Sequence, residues 1–249
     1  PHSFRVASDK TGHPVVLQPE TWPLSDEALM WNNQTWGKAS TSFIPAVSKL
    51  KWLEPRHLTN VENRWARNRT DDFQYIFFNG HGYNAWENIW GIWNQFTPRD
   101  GETLRRIATI FRKFSTLLVS PDWEPYAQTL QQGVFASAFP REQMTLWTVV
   151  NRNEYELSTE QLVVNHQAGT RYIDIWSGVE LKARLSKDKA ILHFDMEPNG
   201  YGCVLALKEG ESINDLTVFL QQMKELAAKP LQHYSGSWKA LVQNMVDIP

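Results

Sequence analysis

The chain has 249 residues, with 25 Lys and Arg against 27 Asp and Glu for a formal net charge of −2. That balance leaves no basic footprint for nucleic acid, and no apolar run approaches the roughly 18 residues that a membrane helix needs. The expected partners therefore include neither nucleic acid nor membrane. A single cysteine, Cys203, excludes an intrachain disulfide and any cysteine-based metal site. No histidine spacing suggests a metal site, and no cofactor is expected. Tryptophan is the outlier, with 12 in all and eight of them between Trp22 and Trp93. Core packing rarely uses Trp this densely, because each buried indole N–H needs a partner.

In chain order, Pro14 to Leu17, Ala28 to Trp31 and Phe43 to Val47 are brief apolar runs in a region that alternates strand-like and helical patterns. Pro55 suits a first helical position, and Leu58, Val61 and Trp65 recur at spacings of three and four, which predicts a helix. Asp71-Asp72 breaks that pattern. Phe73 to Phe78 reads as a strand buried on both faces, and Asn79-Gly80-His81-Gly82 as a loop freed by its two glycines. Thr97 as cap, Pro98 at the first position and Asp100 near the start predict a helix striped by Leu104, Ile107, Phe111, Phe114 and Leu118 and stopped by Ser120-Pro121. Strand–loop–helix alternation of this kind predicts an α/β region.

Beyond Pro121 the character changes. Gly133 to Phe139, Thr145 to Val150, Gln161 to Asn165, Arg171 to Trp176, Val179 to Leu185, Ala190 to Phe194 and Cys203 to Leu207 read as strands. Seven short strands with regular turn punctuation predict an antiparallel β-sandwich. A closing helix follows, striped by Leu216, Phe219, Leu220, Met223 and Leu226 and ended by Pro230.

The segment from Phe77 to Gly91 carries the most chemistry. In α/β folds the C-terminal ends of strands form the ligand face, so Asn79, His81, Tyr83, Trp86 and Glu87 are expected near one rim. Flat aromatic rings cover the apolar faces of a sugar, while amide, imidazole and carboxylate groups bond its hydroxyls. Glu87 is the first candidate catalytic carboxylate. The competing reading makes Tyr83, Trp86, Trp90 and Trp93 a buried helical face, and Glu87 an acidic residue favoured near a helix N-terminus. Glu54, in Trp52-Leu53-Glu54-Pro55, is a second candidate at an expected strand-to-helix corner, with Trp52 beside it. Its alternative is a charge before a helix-initiating proline. Trp31 ends another apolar run and supplies a third rim element. Asn33-Gln34-Thr35 and Asn68-Arg69-Thr70 are glycosylation sequons at Asn33 and Asn68, consistent with an extracellular or secretory location.

The run Lys51-Trp52-Leu53-Glu54-Pro55-Arg56-His57, with Arg69-Thr70-Asp71-Asp72, Phe77-Phe78-Asn79-Gly80 and Trp86-Glu87-Asn88-Ile89-Trp90-Gly91-Ile92-Trp93-Asn94, resembles a group of large multidomain proteins. These carry a glycoside-hydrolase-type barrel, then a β-sandwich, then a domain similar to formylglycine-generating enzyme (sulfatase-modifying factor). Val149-Val150-Asn151-Arg152-Asn153 and Trp176-Ser177-Gly178 extend the match into the sandwich. The resemblance implies an α/β plus all-β chain: the C-terminal strand–helix units of a (β/α)₈ barrel over 1–121, a sandwich over 122–210, and a closing helix and linker over 211–249. A complete barrel needs about 250 residues. The chain is therefore expected to be a processed piece of a longer precursor, inert as a hydrolase until companion chains from that precursor complete the barrel.

The leading expectation is a fragment or subunit of a secreted carbohydrate-active protein, with carbohydrate as partner. A non-catalytic glycan-binding or structural protein that retained the fold is the alternative, and a contribution to sulfatase maturation through the neighbouring domain is a third.

Overall fold

The computed structural model describes residues 2–19, 25–37, 42–62, 68–84 and 96–237. Three short strands, β1 (Gln34–Gly37), β2 (Leu58–Glu62) and β3 (Gly82–Asn84), form a sheet in that order. All pairings are parallel, with Trp36 opposite Asn60 and Glu62 opposite Asn84. Two helices, α1 (His2–Thr11) and α2 (Asp26–Trp31), precede the sheet, and α3 (Lys49–Leu53) and α4 (Thr70–Asn79) connect its strands. After β3 come α5 (Pro98–Lys113) and α6 (Ser115–Leu118).

Two expectations are exchanged. The helix expected on Leu58, Val61 and Trp65 is the strand β2, which ends at Glu62; Trp65 lies outside the described residues. Its period is two: Thr59 and Val61 are buried on one face, and Asn60 and Glu62 belong to the other. The strand expected over Phe73 to Phe78 is the middle of α4. Asp71 and Asp72 occupy its first turn, where carboxylates complement the dipole. Gly80 closes it in the left-handed conformation at φ 65°, a C-terminal signal that glycine adopts without strain. Phe73, Ile76, Phe77 and Phe78 are all buried because the helix is covered all round.

Three smaller runs also differ. Ala28 to Trp31 belongs to α2, capped by Ser25 through the Ala28 amide. Pro14 to Leu17 and Phe43 to Val47 have no regular structure. The helix expected after Thr97 is α5, and the Thr97 hydroxyl accepts the Asp100 amide at 3.1 Å.

Nine strands follow among the described residues. β4 (Glu124–Ala127), β5 (Val134–Arg141), β6 (Met144–Asn151), β8 (Arg171–Asp174), β9 (Val179–Leu181) and β12 (Tyr201–Leu207) make a six-stranded antiparallel sheet, ordered β4-β5-β6-β12-β8-β9. β7 (Leu157–Asn165), β10 (Arg184–Ser186) and β11 (Lys189–Met196) make a three-stranded one, ordered β10-β11-β7. The single strand expected over Val179 to Leu185 is thus two, one in each sheet. The closing helix is α7 (Leu216–Ala227).

Alternation gives the six-stranded sheet two buried faces. Val134, Ala136, Val149 and Val204 share an apolar cluster with Leu162, Leu192 and Phe194 of the smaller sheet. Phe139, Leu146, Val150, Cys203 and Leu205, from the opposite face, pack in a second cluster with Phe77 of α4, Ile107 and Ile110 of α5 and Met223 of α7. This cluster crosses Pro121, so helices from the first half rest on strands from the second. Polar ties follow the same seam. Gln74 donates to Asn151 O at 2.8 Å, and Arg152 pairs with Asp71 at 2.7 Å.

Candidate functional site

The parallel sheet has a polar face and a structural face. Thr35, Thr59, Val61 and Tyr83 share one side by alternation. Val61 is in the apolar cluster that includes α4, and Tyr83 packs edge-on against Phe73 at 5.0 Å. The other side carries Gln34 and Trp36 from β1, Asn60 and Glu62 from β2, and Asn84 from β3, aligned by register. Asn60 donates to Gln34 Oε1 at 3.3 Å. Gly82, its partner on β3, leaves the space that the Asn60 amide fills, since a Cβ there would collide with Asn60 Oδ1. A sheet face bearing amides, an indole and a carboxylate differs from the branched apolar layers that fill a purely structural barrel interior.

Glu62 and Asn84 end their strands, and partnered positions on neighbouring strands lie about 4.8 Å apart. This is the end of the sheet where (β/α)₈ proteins place ligands. The N-termini of α4 and α5 lie at the same end. A cavity of about 520 Å³, lined by Asn68, Thr70, Asp71, Arg99, Asn199 and Gln232 among others, sits beside them. Arg99 closes its wall by donating to Thr70 Oγ1 at 2.7 Å and to Asn199 O at 3.0 Å.

The residues singled out by sequence are distributed differently. Trp86 and Glu87 lie outside the described residues, as do Trp90 and Trp93. Because Phe73 to Phe78 is a helix, Asn79 and His81 enter β3 rather than leave a strand, and so belong to the opposite end of the sheet. Asn79 is buried and spent on structure: its Oδ1 accepts the Ser48 amide at 2.9 Å, and its Nδ2 donates to Ala46 O and Tyr75 O at 3.0 Å each. Tyr83 faces the helices. Glu54 caps the end of α3 and precedes β2, about 13 Å of strand away from Glu62. Arg56 donates to its carboxylate at 3.1 Å and holds its pKa below the usual value.

Trp52 is exposed on α3 and meets Trp123 edge-on at 5.9 Å, and Trp31 is exposed on α2. Both sequon asparagines are exposed. Asn33 Oδ1 accepts the Leu17 amide at 3.1 Å, and Asn68 Oδ1 accepts the Thr70 amide at 2.9 Å.

Sequence reasoning missed Gln34, Trp36, Asn60, Glu62 and Asn84. The available signal was Thr59-Asn60-Val61-Glu62, a two-residue alternation that uses two β-branched residues.

No family model and no curated protein matches the sequence. Solved structures do match. An α-amylase from Anoxybacillus superposes with a TM-score of 0.53 at 11% identity, over 84% of this chain and 55% of its own. An α-amylase from H. orenii gives 0.50 at 12% identity, over 83% of this chain and 56% of its own. The chain thus spans about half the length of each amylase it resembles. The likeness is one of fold, to glycoside-hydrolase barrels matched over part of their length.

Proposed function

We propose that this chain is a fragment or subunit of a carbohydrate-active protein, holding part of a glycoside-hydrolase-type barrel and a β-sandwich, with its sugar-binding rim at the C-terminal ends of β1, β2 and β3. The observation that carries the reading is the polar face of the parallel sheet, where Trp36, Asn60, Glu62 and Asn84 lie in register. An indole offers a surface for a pyranose ring, the amides bond hydroxyls, and Glu62 is a carboxylate at a strand end. The amylase-like fold supports carbohydrate as the ligand class.

Glycosidases use two carboxyl groups about 5 to 9.5 Å apart. Glu62 is one. Glu87, a few residues after β3, is the other within this chain; Glu54, bonded to Arg56 at the far end of β2, takes no part. The boundaries at 121 and 210 separate barrel units, sandwich and closing helix as parts of one mass. β3 pairs with β2 on one side, and among the described residues no strand pairs with its other edge. A companion segment or chain from the same precursor completes the barrel there. The protein is secreted, with Asn33 and Asn68 as glycan acceptors, and is followed in its precursor by a domain similar to formylglycine-generating enzyme.

The test is oligosaccharide binding and turnover by the native, full-length protein. Trp36→Ala is expected to weaken binding by roughly tenfold or more, and Glu62→Gln to remove turnover while leaving binding. Unchanged affinity in the first variant refutes the rim. Wild-type binding without any turnover makes the protein a glycan-binding module on a hydrolase fold. The intact mass of native material tests the companion chain, and a lone monomer of this chain's mass counts against it.

A further inference from the structure

A second cavity lies at the opposite end of the parallel sheet. It holds about 700 Å³, is bounded by the turn before β2, the entry to β3 and one side of α5 and α6, and falls within the range of pockets that enclose small organic ligands. Leu104, Ile107 and Phe111 of α5 make its apolar wall. Its charged lining is of one sign, Lys51, Arg56 and Arg112, beside the imidazoles of His57 and His81, with no aspartate or glutamate among the lining residues.

His81 is the residue that demands explanation. It is 1% exposed, and neither ring nitrogen has a hydrogen-bond partner among the described residues. An unpaired buried polar atom costs roughly 1–3 kcal/mol. Tyr75 meets the ring edge-on at 5.6 Å, which supplies packing but no hydrogen bond. His57 repeats the pattern. Its Nδ1 lies 3.1 Å from Asn32 O, which makes Nδ1 the protonated nitrogen, and its buried Nε2 has no partner. The Lys51 ammonium donates to Leu118 O at 2.5 Å and lies 3.4 Å from Pro55 O, but no carboxylate pairs with it among the described residues. Glu54, the carboxylate acting on His57, is held by Arg56.

We propose that this cavity binds a small organic carboxylate, its anionic end at Lys51 and His81 and its apolar body along α5. The cationic side chains at the site are few, so a monoanion suits it better than a phosphate dianion, whose desolvation is costlier. Burial brings the Lys51 ammonium down to about 8. Burial, with the Lys51 and His57 charges, keeps the His81 imidazole well below its usual value. The titratable groups that line the cavity with His81 are Lys51 of α3, Arg56 and His57 of the turn, Tyr83 of β3 and Arg112 of α5, and Tyr75 of α4 packs on its ring. None is acidic. An incoming anion therefore favours the protonated forms, and binding takes up a proton by linkage.

Isothermal titration of the native, full-length protein with 4-phenylbutyrate, 4-phenylbutan-1-ol and phenyl phosphate, at pH 7.5 in two buffers of different ionisation enthalpy, tests the site. The carboxylate is expected to bind at least about tenfold more tightly than the alcohol, with proton uptake, and His81→Leu to erase that preference. Equal binding of acid and alcohol, or no binding of either, overturns the proposal. Stronger binding of phenyl phosphate overturns the carboxylate assignment. If His81→Leu does not fold, imidazole NMR of the wild type decides: an unmoved His81 resonance at saturating phenylbutyrate refutes the site. Asn60 borders this cavity as well as the proposed rim, but Trp36, Glu62 and Asn84 do not line it, so failure here leaves standing the carbohydrate reading, which is tested at Trp36 and Glu62.

Discussion

Asn84 stands opposite Glu62 across the seam between two parallel strands, each the last residue of its strand. An amide beside a carboxylate at that position can hold a sugar hydroxyl while the carboxylate acts on the neighbouring bond. On the proposed carbohydrate reading, Glu62→Gln is expected to lower glycan turnover in the complete protein by about 10²–10⁴-fold while the variant stays folded, and Glu87→Gln to lower turnover in the same way. Steady-state kinetics and a melting curve on each variant check this, and a variant with wild-type turnover loses its place in the mechanism.

Asn79 is expected to behave oppositely. Its amide joins the 46–48 segment to the end of α4 through two hydrogen bonds and makes a third to Tyr75 O within the helix. Asn79→Ala strands the buried Ser48 amide and two carbonyls, at a cost of about 2–4 kcal/mol for the group. Denaturant unfolding would show that loss, while oligosaccharide affinity of the folded fraction stays the same.

Glu102 and Arg106 form a buried ion pair one turn apart on α5, at 2.8 Å, and Arg106 also donates to Lys229 O at 2.7 Å. Removing one partner leaves the other charge buried. Glu102→Ala is expected to destabilise the chain by about 3–5 kcal/mol, far more than breaking the exposed Arg171–Glu180 pair, worth about 0–1 kcal/mol. Urea midpoints of the two variants would rank them.

Asp174 gives a pH signature. Burial raises its carboxyl from 3.8 to about 6, against the pull of amide bonds from Trp176 and Ser177. Between those values the folded chain keeps a proton that the unfolded chain has released. Stability from this group is therefore greatest below pH 4 and declines as pH rises to about 6, by roughly 1–3 kcal/mol. Asp174→Asn keeps an acceptor for both amides and should flatten that decline, visible in melting curves taken from pH 4 to 7.

The all-β half was largely legible in the sequence because its strands are short, separated by turn residues and spaced regularly. The first half was not, and the failures share a cause. A continuous apolar run such as Phe73 to Phe78 suits a helix covered all round as well as a two-faced strand, and only its ends discriminate. Asp71-Asp72 and Gly80 marked a helix. Conversely, Leu58 and Val61 fell by chance on a three-residue spacing, while Thr59 and Val61 carried the true period. Exchanging those two elements puts Asn79 and His81 at the opposite end of the sheet from Glu62, rather than at the strand ends where the apolar-run reading placed them.

Because the large antiparallel sheet is covered on one side by α4, α5 and α7 and on the other by the smaller sheet, its strands cannot be lifted out as a portable module. A recombinant piece cut at Pro121 would keep α7 but lose α4 and α5 from the cluster that holds Phe139, Leu146 and Leu205. Any chimera that borrows the strand-rich part must bring the residues from Thr70 onward with it.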